Sequence, residues 1–411
     1  MKEWKTYKLE DLLSIPVRNG LTKPSSIRGK GVKMIGMGEL FANEIIRDIE
    51  MPRVPTTDSE LKLSAIEKGD LLFARQSLTL EGAGKCSLVK EVTEPTVFES
   101  HIIRCRVNKN LVTPEYLYYY FRSRFGRYKI ECIVEQVAAA GIRGKDLIKI
   151  EIPVPDIQTQ RGIVDCLSTL DEKIHYNSLI NDNLDQQLQC LYREWFIENP
   201  KADWPTVSLS EIATFISGYS YKGNELVENS NTAMATIKNF ERNGGFKVDG
   251  YKPIVPSSKL KVEQQAELFD ILVAHTDLTQ NAEVIGNAEI LLSKDRYKDL
   301  IFSMDLVKVN AKESFPFQFL LALLLKNPRF KSHSIGYVNG TTVLHMNKRA
   351  LPDYETIIPN SEDAQSLNAT AKAIFCHMSE NLTEISNLTK MRDTLLPKLM
   401  SGDLKINEID C

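Results

Sequence analysis

The chain has 411 residues, enough for two or more domains, and its 43% hydrophobic and 26% charged residues are ordinary for a globular protein. The longest apolar run, from Phe319 to Leu325, is too short to span a bilayer, and the first residues lack the apolar core of a signal peptide. The seven Cys are scattered and form no CxxC pair, which favours reduced thiols over disulfides or zinc, so we expect a cytoplasmic protein.

The net charge of −3 is distributed unevenly along the chain. Residues 1–155 hold 25 Lys/Arg against 20 Asp/Glu, and residues 200–358 hold 18 of each. Residues 156–199 hold only 3 against 8, and residues 359–411 hold 5 against 8. The two larger segments are therefore neutral to basic, a balance that is compatible with binding nucleic acid.

Residues 1–155 are predicted to form a first globular domain of the α+β class. Runs rich in β-forming residues, such as Asp70–Ala74 and His101–Val107, lie among loops that contain Gly, Asn and Ser. Thr113 followed by Pro114 is a helix-start signal, because Thr caps the first turn and Pro suits its first position.

Residues 156–199 are predicted to form one long helix. Apolar residues recur there in alternating steps of four and three, which is the seam of a coiled coil, at Ile163, Leu167, Leu170, Ile174, Leu184, Leu188, Leu191 and Trp195. Two seam positions are polar, Asn177 and Asn181. Since an isolated seam would leave an apolar stripe in water, we expect a partner helix.

Residues 200–358 are predicted to repeat the first domain. Asp70-Leu-Leu-Phe-Ala74 matches Asp270-Ile-Leu-Val-Ala274 at an offset of 200, and Ile152-Pro-Val-Pro155 resembles Thr356-Ile-Ile-Pro359 at an offset of 204. Two further matches lie in the same order, one near Trp4 and Trp204 and one near residues 126–129 and 328–331. Four ordered matches with so small a drift in offset indicate a duplicated domain.

Residues 359–411 are predicted to supply the partner helix. They carry a second seam, which is interrupted at Arg392 and polar at Asn381. If the two helices pair antiparallel, the two domains lie at opposite ends of a rod and are related by a pseudo-two-fold axis. Asn177 and Asn181 would then meet Asn381 near the centre, where paired Asn residues fix the register. A coiled coil between two chains is the alternative.

The chain lacks a motif with the spacing that catalysis requires. Glu81–Cys86 resembles the end of a P-loop, but position 79 is Thr and the Ser/Thr that should bind magnesium is Cys86. Asn327-Pro-Arg-Phe330 departs from the Asn-Pro-Pro-aromatic tetrapeptide of adenine methyltransferases at Arg329, and the six His show no metal-ligand spacing. We therefore interpret the chain as a binding protein without a metal or cofactor of its own.

The candidate binding residues lie in polar loops that follow the predicted strands. Arg, Lys, Gln and Asn side chains can contact base edges in the major groove, and cations beside Gly-rich loops can hold phosphates. The candidate DNA-binding residues are Arg75, Gln76, Ser77, Lys85, Arg143, Lys145, His275, Thr276, Thr279, Gln280, Asn281, Thr341, Thr342 and Lys348.

Several segments together carry a resemblance to a known family. In chain order they are Ile152-Pro-Val-Pro155, Gln160-Arg-Gly-Ile163, Leu170-Asp-Glu-Lys-Ile174, Asn181-Asp-Asn-Leu184 through Trp195-Phe196, Asp270 through Gln280, Gly340-Thr-Thr342 and Arg392 through Gly402. The whole chain resembles the specificity (S) subunits of Type I restriction-modification enzymes. It departs from them at Ala138-Ala-Ala-Gly-Ile142, where family members often have Gly followed by Ser or Thr.

The resemblance implies a non-catalytic subunit with two target recognition domains that read the two halves of an asymmetric, bipartite DNA site. It also implies that the helices act as a spacer and dock two modification (M) subunits, which carry S-adenosylmethionine and the adenine methyltransferase site. Restriction (R) subunits would bring ATP-driven translocation and cleavage. Two alternatives stay open: a structural adaptor with two binding domains on a coiled-coil rod, or the DNA-recognition part of a fused restriction-methylation enzyme.

Overall fold

The computed structural model describes residues 4–136, 139–242, 244–279, 281–340 and 343–406. These residues fall into two compact units. Unit 1 lies within residues 1–172 and 390–411, and unit 2 within residues 173–389. Each unit therefore contains one of the two predicted globular domains together with a part of each predicted long helix.

Unit 1 is a mixed α and β structure. Its strands are β1 (Lys5–Lys8), β2 (Leu13–Asn19), β3 (Val32–Ile35), β4 (Ile45–Ile46), β5 (Arg53–Val54), β6 (Leu71–Ala74), β7 (Gln76–Ser77), β8 (Cys86–Val89), β9 (Thr96–Phe98), β10 (Ile102–Val107), β11 (Glu135–Gln136), β12 (Ala140–Gly141) and β13 (Glu151–Val154). Its helices are α1 (Met37–Ala42), α2 (Asp58–Ser64), α3 (Pro114–Arg122), α4 (Arg124–Glu131), α5 (Gly144–Leu147) and the first part of α6 (Ile157–Arg193).

Unit 2 begins within α6, which ends in a π-helical turn at Glu194–Glu198. Its strands are β14 (Thr206–Ser208), β15 (Ala213–Ser217), β16 (Thr232–Ala235), β17 (Lys252–Pro253), β18 (Gln265–Ala266), β19 (Ile271–Ala274), β20 (Thr276–Asp277), β21 (Ala288–Ile290), β22 (Asp299–Phe302), β23 (Leu306–Ala311), β24 (Val338–Asn339), β25 (Leu344–Met346) and β26 (Glu355–Ile357). Its helices are α7 (Leu209–Ile212), α8 (Gln318–Leu325), α9 (Pro328–Ile335) and most of α10 (Ser361–Ser401), which ends in unit 1.

The two units repeat the same sheet order, except that the main sheet of unit 1 has one additional edge strand, β4, and this repetition confirms the duplication. The main sheet has the order β2-β10-β6-β8-β4 in unit 1 and β15-β23-β19-β21 in unit 2. A small sheet of order β11-β12-β7 corresponds to β24-β25-β20, and the antiparallel pair β1–β13 corresponds to β14–β26. The central strands β6 and β19 are buried at every residue, as expected for apolar runs that lie inside a sheet.

A pair of glycines shows how closely the copies correspond. A Cβ atom on Gly20 would lie 1.9 Å from the carbonyl oxygen of Phe98, and one on Gly218 would lie 2.0 Å from that of Ser303. Each glycine immediately precedes a parallel bridge between two segments of its own unit. Only a residue without a side chain allows this close approach of two backbones, so both copies need glycine there.

In unit 1 the helix seam is closed by a buried ion pair. Ile163 and Leu167 of α6 are buried in one cluster with Leu399 of α10. Arg392, which the sequence suggested as an interruption of the seam, instead places its Nη1 2.9 Å from the Oδ1 of Asp171. Arg392 thus interrupts the apolar pattern of the seam, but its charge has a buried partner on the other helix.

The same carboxylate of Asp171 accepts a hydrogen bond of 2.7 Å from the hydroxyl of Tyr119 on α3. Burial lowers the pKa of Arg392, but its hydrogen bonds to Asp171 and Asp393 outweigh this effect and raise the pKa above its ordinary value. The ion pair therefore anchors both helix segments to the globular part of unit 1.

In unit 2 the seam is closed by amides. Asn381 donates a hydrogen bond of 2.8 Å to the Oδ1 of Asn181, as the expectation of paired Asn residues requires. Asn177 differs from that expectation, because it donates to the Oε2 of Glu384 at 2.7 Å rather than to an Asn. Higher residue numbers on α6 meet lower numbers on α10, so the two segments run antiparallel in this unit.

The predicted fold class, α+β with two globular parts and two long helices, is confirmed. The predicted boundaries at residues 155, 199 and 358 and the pseudo-two-fold relation stay predictions. Along the described ranges, no helix combines the length and the apolar character that crossing a membrane would require.

Candidate nucleic-acid interface

A polar loop follows the central strand of each unit at the same point. We call residues 75–84 loop 1 and residues 275–286 loop 2; Gln280 lies outside the described residues. Both loops are closed by equivalent backbone bonds of 2.8 Å, from the N–H of Gly84 to the oxygen of Ala74 and from the N–H of Gly286 to the oxygen of Ala274.

The glycine that closes each loop has a positive φ, +70° at Gly84 and +78° at Gly286. A Cβ atom at these positions would come within 2.4 Å of the Ile130 side chain or 2.7 Å of the Ser334 side chain. The glycines therefore satisfy two needs at once, a left-handed backbone and close packing against α4 or α9. As a result, both loops leave the sheet and return to it at fixed points.

The first turn of each loop is held by a side chain at an equivalent position. The Oγ of Ser77 accepts the N–H of Thr79 at 3.1 Å, and the Oδ1 of Asp277 accepts the N–H of Thr279 at 2.8 Å. These are turns in which a short polar side chain replaces a backbone acceptor. Ser77 and Thr279, two of the candidate DNA-binding residues, thus take part in building the loops.

Asp277 is the principal organiser of loop 2, and the sequence analysis missed it. It is only 2% exposed, and its second carboxylate oxygen accepts the N–H of Val284 at 2.7 Å and that of Ile285 at 3.3 Å. Burial would raise the pKa of Asp277, but these backbone donors together with Thr279 lower it below its ordinary value. An Asp two residues before a Thr in a polar loop was the available sequence signal.

In unit 1, Arg75 and Gln76 are the candidates best placed to reach a ligand. Arg75 is half-buried and Gln76 is exposed. Lys85 differs, because its ammonium group donates to the carbonyl of Phe41 at 2.9 Å and lies over the Phe41 ring. This internal contact gives Lys85 a structural position and argues against its expected role at the interface.

The second predicted loop of unit 1 lies directly beside loop 1. Gly141 pairs with Gln76 across strands β12 and β7, and the N–H of Ile142 donates to the oxygen of Arg75 at 2.9 Å. Arg143 forms an exposed ion pair of 2.5 Å with Glu135, and Lys145 is exposed on α5. The structure therefore brings two separate candidate loops together.

Unit 2 repeats this arrangement with different side chains. The N–H of Met346 donates to the oxygen of His275 at 2.9 Å, as Ile142 does to Arg75. Lys348 follows on the same segment and is exposed, and Asn281 is exposed in loop 2. Thr276 is buried and donates to Asp305 at 3.0 Å, so its hydroxyl faces the interior of the unit.

His275 occupies the position of Arg75 but has a different charge state. Burial lowers its pKa below the ordinary value, and the neighbouring His345 and Lys348 lower it further. Neutral imidazole is therefore favoured near neutral pH, where it can both donate and accept a hydrogen bond. Gln280, Thr341 and Thr342, which were also candidates, lie outside the residues that the structure describes.

Unit 2 also has a cavity of about 710 Å³ beside the end of loop 2, which the sequence analysis did not anticipate. Its lining includes Arg193, Arg242, Arg329 and Lys331. Arg242 is paired with Glu283, whereas Arg193 and Arg329 are exposed. The lining also contains the carboxylates of Asp185, Glu198 and Glu289. It is therefore the exposed Arg193 and Arg329 that suit contacts with phosphate.

Across the described part of the chain, no cluster of three or more His, Cys, Asp or Glu residues is arranged to hold a metal ion. Loop 1 contains the exposed carboxylate of Glu81, but the candidate residues that stay at least partly exposed at the paired loops are neutral or cationic hydrogen-bonding groups. Such groups can recognise a polyanion and the edges of bases.

Comparison with known proteins finds similarity to specificity subunits of Type I restriction enzymes. The family model described as the Type I restriction modification DNA specificity domain matches residues 1–186. The specificity subunit of the Type I restriction enzyme HindI from Haemophilus influenzae is 24% identical, over 98% of this chain and all of the relative. That of the enzyme MjaIX from Methanocaldococcus jannaschii is also 24% identical, over 99% of this chain and 95% of the relative.

A solved structure shows the same fold. The crystal structure of the S subunit of a Type I restriction-modification system from M. genitalium superposes with a TM-score of 0.60. The match covers 96% of both chains at 14% sequence identity. At this identity the likeness concerns the fold alone.

Proposed function

We infer the function of this chain from its confirmed resemblance to the specificity subunits of Type I restriction-modification enzymes. We propose that it reads a bipartite, asymmetric DNA site, one half with unit 1 and the other with unit 2, and that it has no catalytic role of its own. The observation that carries this proposal is the duplicated pairing of two loops beside the central strand of each unit.

The side chains at the paired loops suit DNA. In unit 1 they include Arg75, Gln76 and Lys145, and in unit 2 His275 and Lys348. Guanidinium and amide groups contact base edges, while Lys contacts phosphates. Because the two sets differ, the two half-sites differ as well, which makes the whole site asymmetric.

The long helices set the distance between the half-sites and dock the M subunits in this proposal. In unit 2, Tyr176, Leu179 and Ile180 are 56%, 48% and 40% exposed and lie on one side of α6, at spacings of three and four residues. An exposed apolar stripe of this kind supports a contact with a partner protein. We propose two M subunits that carry S-adenosylmethionine, with R subunits and their ATP joining through them, in the cytoplasm.

Arg75→Ala tests whether each unit reads one half-site separately. In a complex of the chain with M subunits, the recognised duplex is first identified by mapping the N6-methyladenine that the complex leaves on DNA. Arg75→Ala should then weaken binding by about 1–3 kcal/mol, and base changes in one half-site should no longer matter at the position that Arg75 reads. Gel-shift titrations against both sets of half-site variants measure this effect.

The matched control is Arg28→Ala, an exposed Arg of unit 1 outside both loops, which should leave binding unchanged. Equal binding of all duplexes by the unaltered complex would contradict the proposed function. Relaxed discrimination at both half-sites by Arg75→Ala would contradict separate reading by the two units. The chain without M subunits should transfer no methyl group from labelled S-adenosylmethionine, which separates a specificity subunit from a fused enzyme.

A further inference from the structure

Each loop displays a leucine at the same point of its first turn. Leu78 is 98% exposed and Leu278 is 65% exposed. Both follow a strand of two residues, and both precede the Thr whose N–H is held by Ser77 or Asp277. The hydrogen-bonded turn therefore fixes the backbone on either side of the leucine.

A single exposed leucine has little meaning, because apolar atoms make up much of any protein surface. The repetition is the significant observation. Loop 1 and loop 2 differ at their first residue, Arg75 or His275, and at the residue that holds the turn. Both nevertheless have an exposed Leu immediately after the residue that holds the turn. A leucine that stays in water forgoes the stabilisation that burial would give it, so its presence at both sites points to a partner.

The surroundings indicate what that partner is. Leu78 follows Gln76 and the half-buried Arg75, and Lys145 lies on the segment that pairs with loop 1. Leu278 follows His275 and lies in the loop that contains the exposed Asn281. An apolar tip among groups that suit base edges and phosphates fits a DNA groove better than the apolar surface of a protein.

The chemistry of the groove narrows the contact further. Base edges in the major groove present hydrogen-bonding groups and one apolar substituent, the C5-methyl group of thymine. We propose that Leu78 and Leu278 each contact the methyl group of a thymine, one in each half-site. This inference rests on the proposed function, and it assigns to each unit an apolar specificity contact beside its polar ones.

The test uses the complex with M subunits and the recognised duplex, in which thymines are replaced by uracil one at a time. Leu78→Ala should raise the Kd for the recognised duplex about tenfold. One uracil in the first half-site should weaken binding by the unaltered complex about fourfold and binding by Leu78→Ala not at all, because the two changes remove the same contact. Leu278→Ala should behave likewise for the second half-site.

Salt dependence separates this contact from a phosphate contact. Leucine releases no counterions, so Leu78→Ala should leave the slope of log Kd against log salt unchanged, whereas Lys145→Ala should reduce it by about one. Both leucines are exposed, so the thermal unfolding midpoint should not change. The matched controls are Leu63→Ala in unit 1 and Val262→Ala in unit 2, which are exposed apolar residues outside the loops.

Three outcomes would overturn the inference. Leu78→Ala could bind the recognised duplex as tightly as the unaltered chain, or lose affinity without coupling to any thymine. It could also fail to assemble with the M subunits, which would assign the leucine to a protein contact. These failures differ from a failure of the proposed function, in which the unaltered complex itself does not distinguish between duplexes.

Discussion

The two units hold their helices together with different chemistry. In unit 1 the polar contacts between α6 and α10 include the largely buried ion pair of Asp171 and Arg392. In unit 2 they include the amide pair of Asn181 and Asn381, beside an exposed ion pair of Lys173 and Glu384. In the loops the charged group belongs to unit 2 instead, because the hydroxyl of Ser77 holds the turn in unit 1 and the carboxylate of Asp277 holds it in unit 2. The two loops thus hold equivalent turns with groups of different charge, and the helix contacts of the two units also differ in charge and burial.

This difference predicts which contacts lose the most stability when one partner is removed by substitution. A buried charge that loses its partner is costly, whereas an amide or hydroxyl that loses one hydrogen bond costs less. Removal of a polar partner should therefore cost more stability in the seam of unit 1 than in that of unit 2, and more in loop 2 than in loop 1. Three predictions test this expectation.

The largest effect is expected at the seam of unit 1. Asp171→Ala leaves Arg392 with Asp393 as its remaining partner and deprives the buried hydroxyl of Tyr119 of its acceptor. Together these losses should lower the free energy of unfolding by about 3 kcal/mol. Asn381→Ala in unit 2 removes a neutral partner and should cost about 1–3 kcal/mol. Urea unfolding measures the totals, and hydrogen exchange should place the loss in the unit that carries the change. Equal losses from both variants would contradict the comparison.

An effect of equal or smaller size is expected in the loops. Asp277→Ala leaves buried N–H groups of loop 2 without an acceptor and should cost about 3 kcal/mol, whereas Ser77→Ala removes one hydrogen bond and should cost about 1 kcal/mol. Amide exchange at Val284 and Ile285 should accelerate in the first variant, and discrimination at the second half-site should weaken. If Ser77→Ala disturbs loop 1 as strongly, the two turns do not differ in the way their contacts indicate.

The smallest effect concerns pH. The pKa of His275 is lowered in the folded protein by burial and by His345 and Lys348, although Asp305 opposes this. The unfolded chain therefore binds more protons at this residue, and unit 2 should lose stability as the pH falls below the ordinary His value of about 6.5. His275→Gln should flatten this part of the pH profile. Arg75→Gln, its counterpart in unit 1, should leave the profile unchanged because Arg stays protonated throughout.

Much of the fold could be predicted because its signals are local or repeated. The strands ending at Ala74 and Ala274 and the seam around Leu167 and Leu188 follow from short-range patterns of apolar residues. The duplication was visible because matching segments occur in the same order. The bond between Asn181 and Asn381 agrees with a seam that is polar at its middle.

The remaining features depend on contacts between residues far apart in the sequence. Lys85 reaches the carbonyl of Phe41 and Thr276 reaches Asp305, so neither could be recognised as an internal residue from its own loop. Arg392 looked like a defect because its partner, Asp171, lies more than two hundred residues earlier. The same types of polar residue occur at exposed positions and at buried contacts, and only the folded structure distinguishes the two.

The closing bonds at Gly84 and Gly286 have a consequence for evolution. Loop 1 contains ten residues and loop 2 contains twelve, yet each is sealed at its base by the same backbone bond of 2.8 Å and by a glycine with a left-handed backbone. The main sheet is thus closed in the same way below each loop, although the two loops differ in length and sequence. A loop of different length and sequence can therefore replace either one while the scaffold stays intact. Under the proposed function, a change of DNA target would require new loop residues rather than a new fold.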